Sequence, residues 1–259
     1  MPFTLSHAAA ALPFRRTRLE FSALVTGCFA PDFAYFIFLR PRGFYGHTLP
    51  GVFVFDLPAS LVVLWLFHAY VKQPLLTFLP TEFRRRLTLK QNGYSFWPPA
   101  RLALIVISIL IGTATHILWD SLTHSRYWPY RHWSFLRQSI HVPVAGNVAM
   151  YLVLQHASTL FGLTVLAVWV WFWYRTTEPS ESPLAEPFTP AQLRIITVIV
   201  PVVAICGGLV RAVMGAGIPG SIKSIVLFVG EWGLAAITFF AIGLLFCGVF
   251  FRKRALSAV

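Results

Sequence analysis

Charged residues are scarce in this 259-residue chain, and acidic ones are the scarcest. Only 12% of the residues are charged, about half the fraction usual in a soluble domain, while 57% are hydrophobic and the mean hydropathy is +0.69. A helix needs about 20 mostly apolar residues to cross a bilayer, and several stretches provide that length. The shortage of charge therefore excludes an ordinary soluble domain and predicts an integral membrane protein.

Cysteine is also rare, since Cys28, Cys206 and Cys247 are the only three and lie far apart in apolar segments. None has the spacing of a metal-ligand pair, so we expect three packing residues and no disulfide. The first 20 residues lack the order of a secretory signal peptide, because their arginines follow the apolar run. We therefore expect the spans themselves to drive insertion.

Basic residues outnumber acidic ones by 21 to 9, which gives a net charge of +12. They flank the apolar stretches, where Lys and Arg attract anionic headgroups by about 1 kcal/mol each. This placement predicts membrane lipid as a partner and argues against nucleic acid. With six crossings, 14 of the 21 basic residues fall on the side that holds both termini, so we expect both termini in the cytoplasm.

The apolar pattern predicts an all-α fold, a polytopic membrane helix bundle with a short additional helix at the N-terminus. Residues 3–14 are too short to cross, and the RRTR run at 15–18 separates them from the next helix. We expect a hairpin of 3–14 and 19–31, and we expect residues 125–148 to form a loop. The six predicted long helices cover approximately residues 19–40, 51–72, 101–124, 149–174, 193–214 and 222–251.

A Pro/Ser/Glu-rich segment at residues 175–192 resembles a flexible linker. All eight histidines and all three aspartates precede it, and none follows it. We therefore predict a His/Asp domain at 1–174, which carries the chemistry, and a two-helix membrane segment at 193–259. In that second segment, Arg211 and Glu231 are expected to form a structural ion pair.

The segment THILWDSLTH at 115–124 is the strongest motif. His116, Asp120 and His124 recur every four residues, so a helix carries them as one stripe on one face. An imidazole nitrogen and a carboxylate oxygen one turn apart can hold the same ion, and zinc accepts both. The stripe predicts metal ligands at the end of an apolar span.

Other polar residues are expected at the same membrane face. Asp32 lies near the outer end of the first long helix, His47 lies in the following loop, and Asp56 begins the second helix. His7 joins them if the hairpin forms. Buried ionisable groups in a span cost about 2.5–3.5 kcal/mol or more and usually have partners. Two interpretations remain open at this point: a metal site, or ion pairs with arginines such as Arg126.

An aspartate at the start of a helix often has a purely structural role. Asp56 could be only a helix cap. We expect interfacial or core positions, without a metal role, for His68, His132, His141 and His156.

The segments MPFTLSHAAAALPFRR, GCFAPDFAYF, GHTLPGVFVFDLP, THILWDSLTH and LQHASTLFGL resemble an uncharacterised bacterial family of membrane proteins, a domain of unknown function, over roughly residues 1–165. That family is similar in pattern to predicted membrane-bound metal-dependent hydrolases and, distantly, to zinc-dependent phospholipase C and P1 nuclease. The resemblance implies a bacterial cytoplasmic membrane and a zinc site. The metal ligands that it implies are His7, Asp32, His47, His116, Asp120 and His124.

The pattern departs from the soluble enzymes at one point. They add a His-x3-Glu pair to complete a three-metal cluster, whereas His141 is followed at that spacing by Ala145. One or two zinc ions are therefore expected rather than three, and another divalent metal would suit the same ligands.

Two functions from different classes follow. The first is a membrane-embedded hydrolase of a phosphoester, of a lipid or a lipid-linked substrate, with Asp56 as the catalytic base. Bidentate arginine contacts would hold its phosphate, and the candidates are Arg40, Arg42, Arg126 and Arg131. The second is a non-enzymatic scaffold or transporter with a structural metal or an ion-pair cluster.

Overall fold

The structure is a computed structural model that describes residues 3–40, 45–87, 94–143, 146–181 and 187–256. Six long helices dominate it, and each contains a stretch long and apolar enough to cross a membrane. They are α1 (Phe21–Phe38), α2 (Leu49–Leu76), α3 (Pro99–Thr123), α4 (Met150–Thr176), α5 (Pro190–Ala216) and α6 (Ile222–Leu256). The predicted all-α membrane bundle with six spans is confirmed.

Short elements join the long helices. A 3₁₀ helix at Thr4–Phe14 precedes α1, and a 3₁₀ turn at Tyr45–His47 precedes α2. Strands β1 (Ser139–Val142) and β2 (Gly146–Ala149) pair antiparallel, with Ser139 opposite Ala149. Short helices occupy Thr81–Arg84, Trp128–His132 and Ser134–Arg137. The segment 125–148, predicted to be a loop, thus contains two short helices and a small hairpin.

Helices suit this composition because backbone polar groups in lipid must be satisfied within the segment. Two of the long helices nevertheless carry an irregular turn with an aspartate. α1 tightens into a 3₁₀ turn at Ala30–Asp32, around Pro31, which has no N–H to donate. α2 widens into a π turn at Val52–Asp56. Such turns change the direction of a side chain and occur often at functional sites.

By contacts the chain falls into two compact units. The first contains Met1–Asp32, Phe44–Leu61 and Phe96–Arg175, and the second contains Phe33–Gly43, Val62–Ser95 and Thr176–Val259. All the predicted metal ligands belong to the first unit. Parts of α1 and α2 group with the C-terminal helices, which the sequence did not indicate. The predicted boundaries at residues 174 and 193 stay a prediction.

In the first unit, two glycines allow α1 and α3 to approach closely. A Cβ at Gly27 would collide with the Ile109 carbonyl, and a Cβ at Gly112 would collide with the Leu24 carbonyl. Small residues permit such approach between membrane helices, where apolar packing has no advantage over contact with lipid tails. Thr113 Oγ1 also donates to the Gly27 carbonyl at 3.3 Å.

The N-terminal 3₁₀ helix packs against α1 and α4. Ala11 meets Leu24 and Cys28 of α1 in a small buried cluster. On the other side a Cβ at Gly162 of α4 would stand 2.6 Å from the Ser6 carbonyl. These contacts hold the predicted hairpin, which turns at residues 15–18, and bury His7 inside the unit.

In the second unit, α5 and α6 form a close pair. Ile196, Val200, Leu244 and Cys247 make its buried cluster. The predicted pair of Arg211 Nη1 and Glu231 Oε2 is present at 3.4 Å, and Arg211 Nη2 also donates to the Leu39 carbonyl at 3.0 Å. The three cysteines of the chain are free thiols.

Replacement of Gly112 by Ala tests the close contact of α1 and α3. The added methyl has no space, so we expect the free energy of unfolding to fall by about 1–3 kcal/mol. Gly233→Ala in α6 is the matched control, because nothing lies within 4 Å of its Cβ position. The measurement is the melting temperature of both variants in detergent. Equal melting temperatures would contradict the packing.

Candidate metal centre

The C-terminal turns of α3 hold the predicted stripe. His116 and Asp120 are fully buried, and His116 Nε2 lies 3.6 Å from Asp120 Oδ2. His124 follows the last residue of the helix and is less buried. Its Nδ1 lies 3.1 Å from the Asp120 carbonyl oxygen and 3.6 Å from Asp120 Oδ2. The spacing therefore directs the imidazoles of His116 and His124 toward the Asp120 carboxylate.

Asp32 meets this stripe from α1. Its 3₁₀ turn points the carboxylate inward, where Oδ2 accepts a hydrogen bond from Thr4 Oγ1 at 2.7 Å. Oδ1 lies 3.7 Å from His116 Nε2 and has no hydrogen-bond donor among the described residues. One oxygen is thus held and the other faces the stripe.

His7 and His47 complete the arrangement from the two N-terminal connections. The His7 ring stacks on His116 at a centroid distance of 3.9 Å, and its Nε2 lies 3.4 Å from Asp120 Oδ1. His47 Nε2 lies 3.4 Å from Asp120 Oδ2 and 3.8 Å from Asp32 Oδ1. The predicted convergence of these five side chains on one place is present in the structure.

The distances between nitrogen and oxygen atoms distinguish a hydrogen-bonded cluster from a metal site. N–H···O hydrogen bonds are about 2.7–3.2 Å long, so separations of 3.4–3.8 Å are too long for them. Ligands on one tetrahedral ion with bonds of 2.0–2.2 Å stand about 3.3–3.6 Å apart. Two overlapping triads keep their ligand atoms within 4.8 Å of one another: His7, His116 and Asp120, and Asp32, His47 and His116. The cluster therefore has the dimensions of a metal site.

The surroundings of His116 and His7 favour the forms of these imidazoles that bind metal. His116 Nδ1 lies 2.7 Å from the Cys28 carbonyl oxygen, which can only accept. Nδ1 therefore carries the proton, and Nε2 directs its lone pair into the cluster. Burial, aided by the neighbouring His116, lowers the pKa of His7 to about 3. His7 is therefore neutral at physiological pH, which is the form that binds metal.

Asp56 lies at the edge of the cluster, in the π turn of α2. It is fully buried, and neither carboxylate oxygen has a hydrogen-bond partner among the described residues. A Cβ at Gly46 would stand 2.7 Å from its Oδ1, so glycine is needed beside it. Asp56 is not in either triad, and a simple cap role is not supported because it accepts no backbone N–H.

The predicted phosphate-binding arginines are spread out. Arg126 is half-buried two residues after His124, with its guanidinium 5.3 Å from the Tyr127 ring centroid. Arg131 is exposed, and its carbonyl accepts from Arg137. Arg40 is exposed and belongs to the second unit, and Arg42 lies outside the described residues.

The four other histidines take no part in the two triads. His68 belongs to the second unit and stacks on Tyr94 at 3.9 Å. His132 is exposed and stacks on Trp128 at 4.2 Å, while His141 and His156 are exposed. None of them is in a triad.

A family model described as "Domain of unknown function (DUF4184)" matches residues 1–247. The chain belongs to this family. The match confirms the uncharacterised family predicted from the N-terminal motifs and extends it through α5 and most of α6. Among curated proteins and among solved structures, nothing matches the chain. The similarity to metal-dependent hydrolases stays a prediction.

Sequence reasoning missed two groups that orient the ligands. Thr4 holds Asp32, and the Cys28 carbonyl holds His116. The sequence did contain a signal for Thr4, because in a 3₁₀ helix of three residues per turn Thr4 shares a face with His7. The Cys28 carbonyl had none, since a backbone contact between α1 and α3 depends on how closely the helices pack.

Metal analysis of single variants tests the cluster. His116→Ala and Asp120→Ala remove central donors, so the purified proteins should lose bound metal relative to the unmodified protein. Thr4→Val leaves all donors in place but frees Asp32, and we expect metal affinity to fall about 10–100-fold. The measurement is metal content by mass spectrometry together with zinc titration.

His132→Ala is the matched control, because this histidine is exposed and takes no part in the two triads. It should retain full metal content. Full metal in Asp120→Ala combined with a large loss of stability would instead identify the cluster as structural, since removing one partner of a buried ion pair costs about 3–5 kcal/mol.

Proposed function

We propose that the protein is a membrane-embedded metal-dependent hydrolase that acts on a phosphoester of a lipid or lipid-linked substrate. The observation that carries the proposal is the buried cluster of three imidazoles and two carboxylates, whose neighbouring nitrogen and oxygen atoms lie 3.4–3.8 Å apart. Mixed nitrogen and oxygen donors favour zinc, as one or two ions, over magnesium or calcium.

Zinc bound there would lower the pKa of a bound water to about 7 and polarise a phosphoryl oxygen. The chain's own residues supply the remaining roles. Asp56 is a buried carboxylate outside both triads, and neither of its oxygens has a hydrogen-bond partner in the part of the chain that the structure describes. It is therefore available to accept a proton from the attacking water. This supports its predicted role as catalytic base.

Arg126 is the best placed of the predicted phosphate contacts. It follows His124 by two residues at the end of α3, within the same unit as the cluster. A guanidinium there could hold a phosphate through paired N–H donors. Arg131, Arg40 and Arg42 stay as further candidates without a supporting contact.

The alternative function is a scaffold or transporter whose cluster is structural. Ion pairs with arginine were its basis, but the partners of Asp32 and Asp120 among the described ion pairs are histidines. Transporters concentrate polar groups near the bilayer midplane. Here His7 and His47 come from short connections outside the long helices, which favours an enzyme reached from the membrane interface. We also propose a bacterial cytoplasmic membrane with both termini in the cytoplasm.

The hydrolase is tested by Asp56→Asn with a panel of phospholipids, including phosphatidic acid. General-base catalysis contributes about 10²–10⁴-fold, so kcat should fall by that factor while zinc content is unchanged. Chelation should abolish hydrolysis by the unmodified protein, and zinc should restore it. The measurement is release of phosphate or headgroup from lipid in mixed micelles.

His156→Ala is the control, since this exposed histidine should leave both zinc and turnover unchanged. Protein that retains stoichiometric zinc but hydrolyses none of the phospholipids would favour the scaffold.

A further inference from the structure

An apolar groove runs along the first unit between α3 and α4. Its cavity volume is about 590 Å³, and its walls are almost entirely apolar. The apolar residues that line it include Ala10, Leu118, Trp119, Leu122, Ala157 and Phe161. Nothing in the proposed chemistry uses these side chains, so the groove needs its own explanation.

The groove and the metal cluster occupy the same turns of α3. His116 and Asp120 face the cluster, while Leu118, Trp119 and Leu122 face the groove. Trp119 separates the two, with its ring 5.4 Å from the His7 ring. At 1.5 Å per residue, the stretch from Thr115 to Leu122 is about 10 Å long.

One end of the groove lies beside His124, whose Nδ1 is 3.6 Å from Asp120 Oδ2 of the cluster. Thr123 lines the groove, and its Oγ1 lies 3.2 Å from His124 Nδ1. Arg126 follows Thr123 by three residues in the chain. A ligand in the groove would therefore have a polar end beside the cluster and an apolar end toward Thr115.

The groove opens sideways. Leu118 is 68% exposed and Phe161 is 63% exposed, and both lie in helices that are long and apolar enough to span a membrane. The medium at that surface is lipid rather than water, and an apolar wall offers no hydrogen bonds to a water-soluble ligand.

We propose that this groove holds an acyl chain of the lipid whose phosphoester reaches the metal cluster. This inference rests on the proposed function, which identifies the polar head of the lipid as a phosphoester. The groove holds the tail of that lipid, a hydrocarbon chain beside Trp119, and this places the head at Thr123 and His124. Binding energy from such a remote part of a substrate can position the reacting group.

Photocrosslinking tests the groove without relying on catalysis. The probe is phosphatidic acid with a diazirine in one acyl chain, incorporated with the purified protein in lipid nanodiscs. Labels should map by mass spectrometry to peptides containing Leu118–Leu122 and Leu154–Phe161. Ala157→Trp fills the groove and should remove that labelling, and it should reduce turnover of long-chain more than of short-chain substrate.

Leu160→Trp is the matched control. It lies three residues from Ala157 on α4, is 69% exposed and does not line the groove, so its labelling should equal that of the unmodified protein. Zinc content checks that both variants fold. The map from the unmodified protein stands even if Ala157→Trp does not accumulate.

The outcomes separate the two proposals. Groove labelling without hydrolysis supports the acyl site and overturns the proposed hydrolase. Hydrolysis with labels scattered over all lipid-facing helices overturns the acyl site and leaves the enzyme. A groove that stays unlabelled because a second copy covers it, seen as a dimer that Ala157→Trp dissociates, also overturns the acyl site.

Discussion

The first unit depends on one constraint, which is that the negative charge of three buried carboxylates must be balanced. Asp32, Asp56 and Asp120 are each at most 1% exposed, within or beside apolar spans. An isolated buried carboxylate is costly unless it has a counter-charge. The described ion-pair partners of Asp32 and Asp120 are imidazoles, which are neutral when they act as metal ligands. A divalent cation bound among these side chains would supply the missing positive charge.

The packing of the helices serves that constraint. Gly112 stands one turn before His116, and Gly27 directly precedes Cys28. Close approach at these glycines brings the Cys28 carbonyl within 2.7 Å of His116 Nδ1 and so fixes the direction of Nε2. The 3₁₀ helix, held by α1 and α4, adds His7 and Thr4 from one face. These packing contacts therefore set the geometry of the donors.

Much of this arrangement was predictable from local rules. The i, i+4, i+8 spacing of His116, Asp120 and His124 needs only a helix, and the RRTR break needs only charge. The ordered hairpin of β1 and β2 was not predicted, because its strands are only four residues long and lie among charged and aromatic residues. Neither the Cys28 carbonyl contact nor the groove beside Trp119 was predictable, because each depends on how separate helices pack. The grouping of residues 62–95 with the C-terminal helices is likewise a long-range property.

The way the two triads overlap bears on whether the centre can be catalytic. Both contain His116, whose Nε2 can bind only one ion, so two independent ions cannot each have a full triad. Asp120 offers a different solution, because Oδ1 faces His7 while Oδ2 faces His47 and His116. A carboxylate that bridges in this way would allow one ion at His47, His116 and Asp32 and a second at His7. The second ion would then have few protein ligands and open positions, which is the arrangement that hydrolysis requires. A single ion held by one triad would likewise keep an open position, whereas a single ion that took all five donors would be closed. The number of protein ligands on each ion therefore separates an enzyme from a scaffold on chemical grounds.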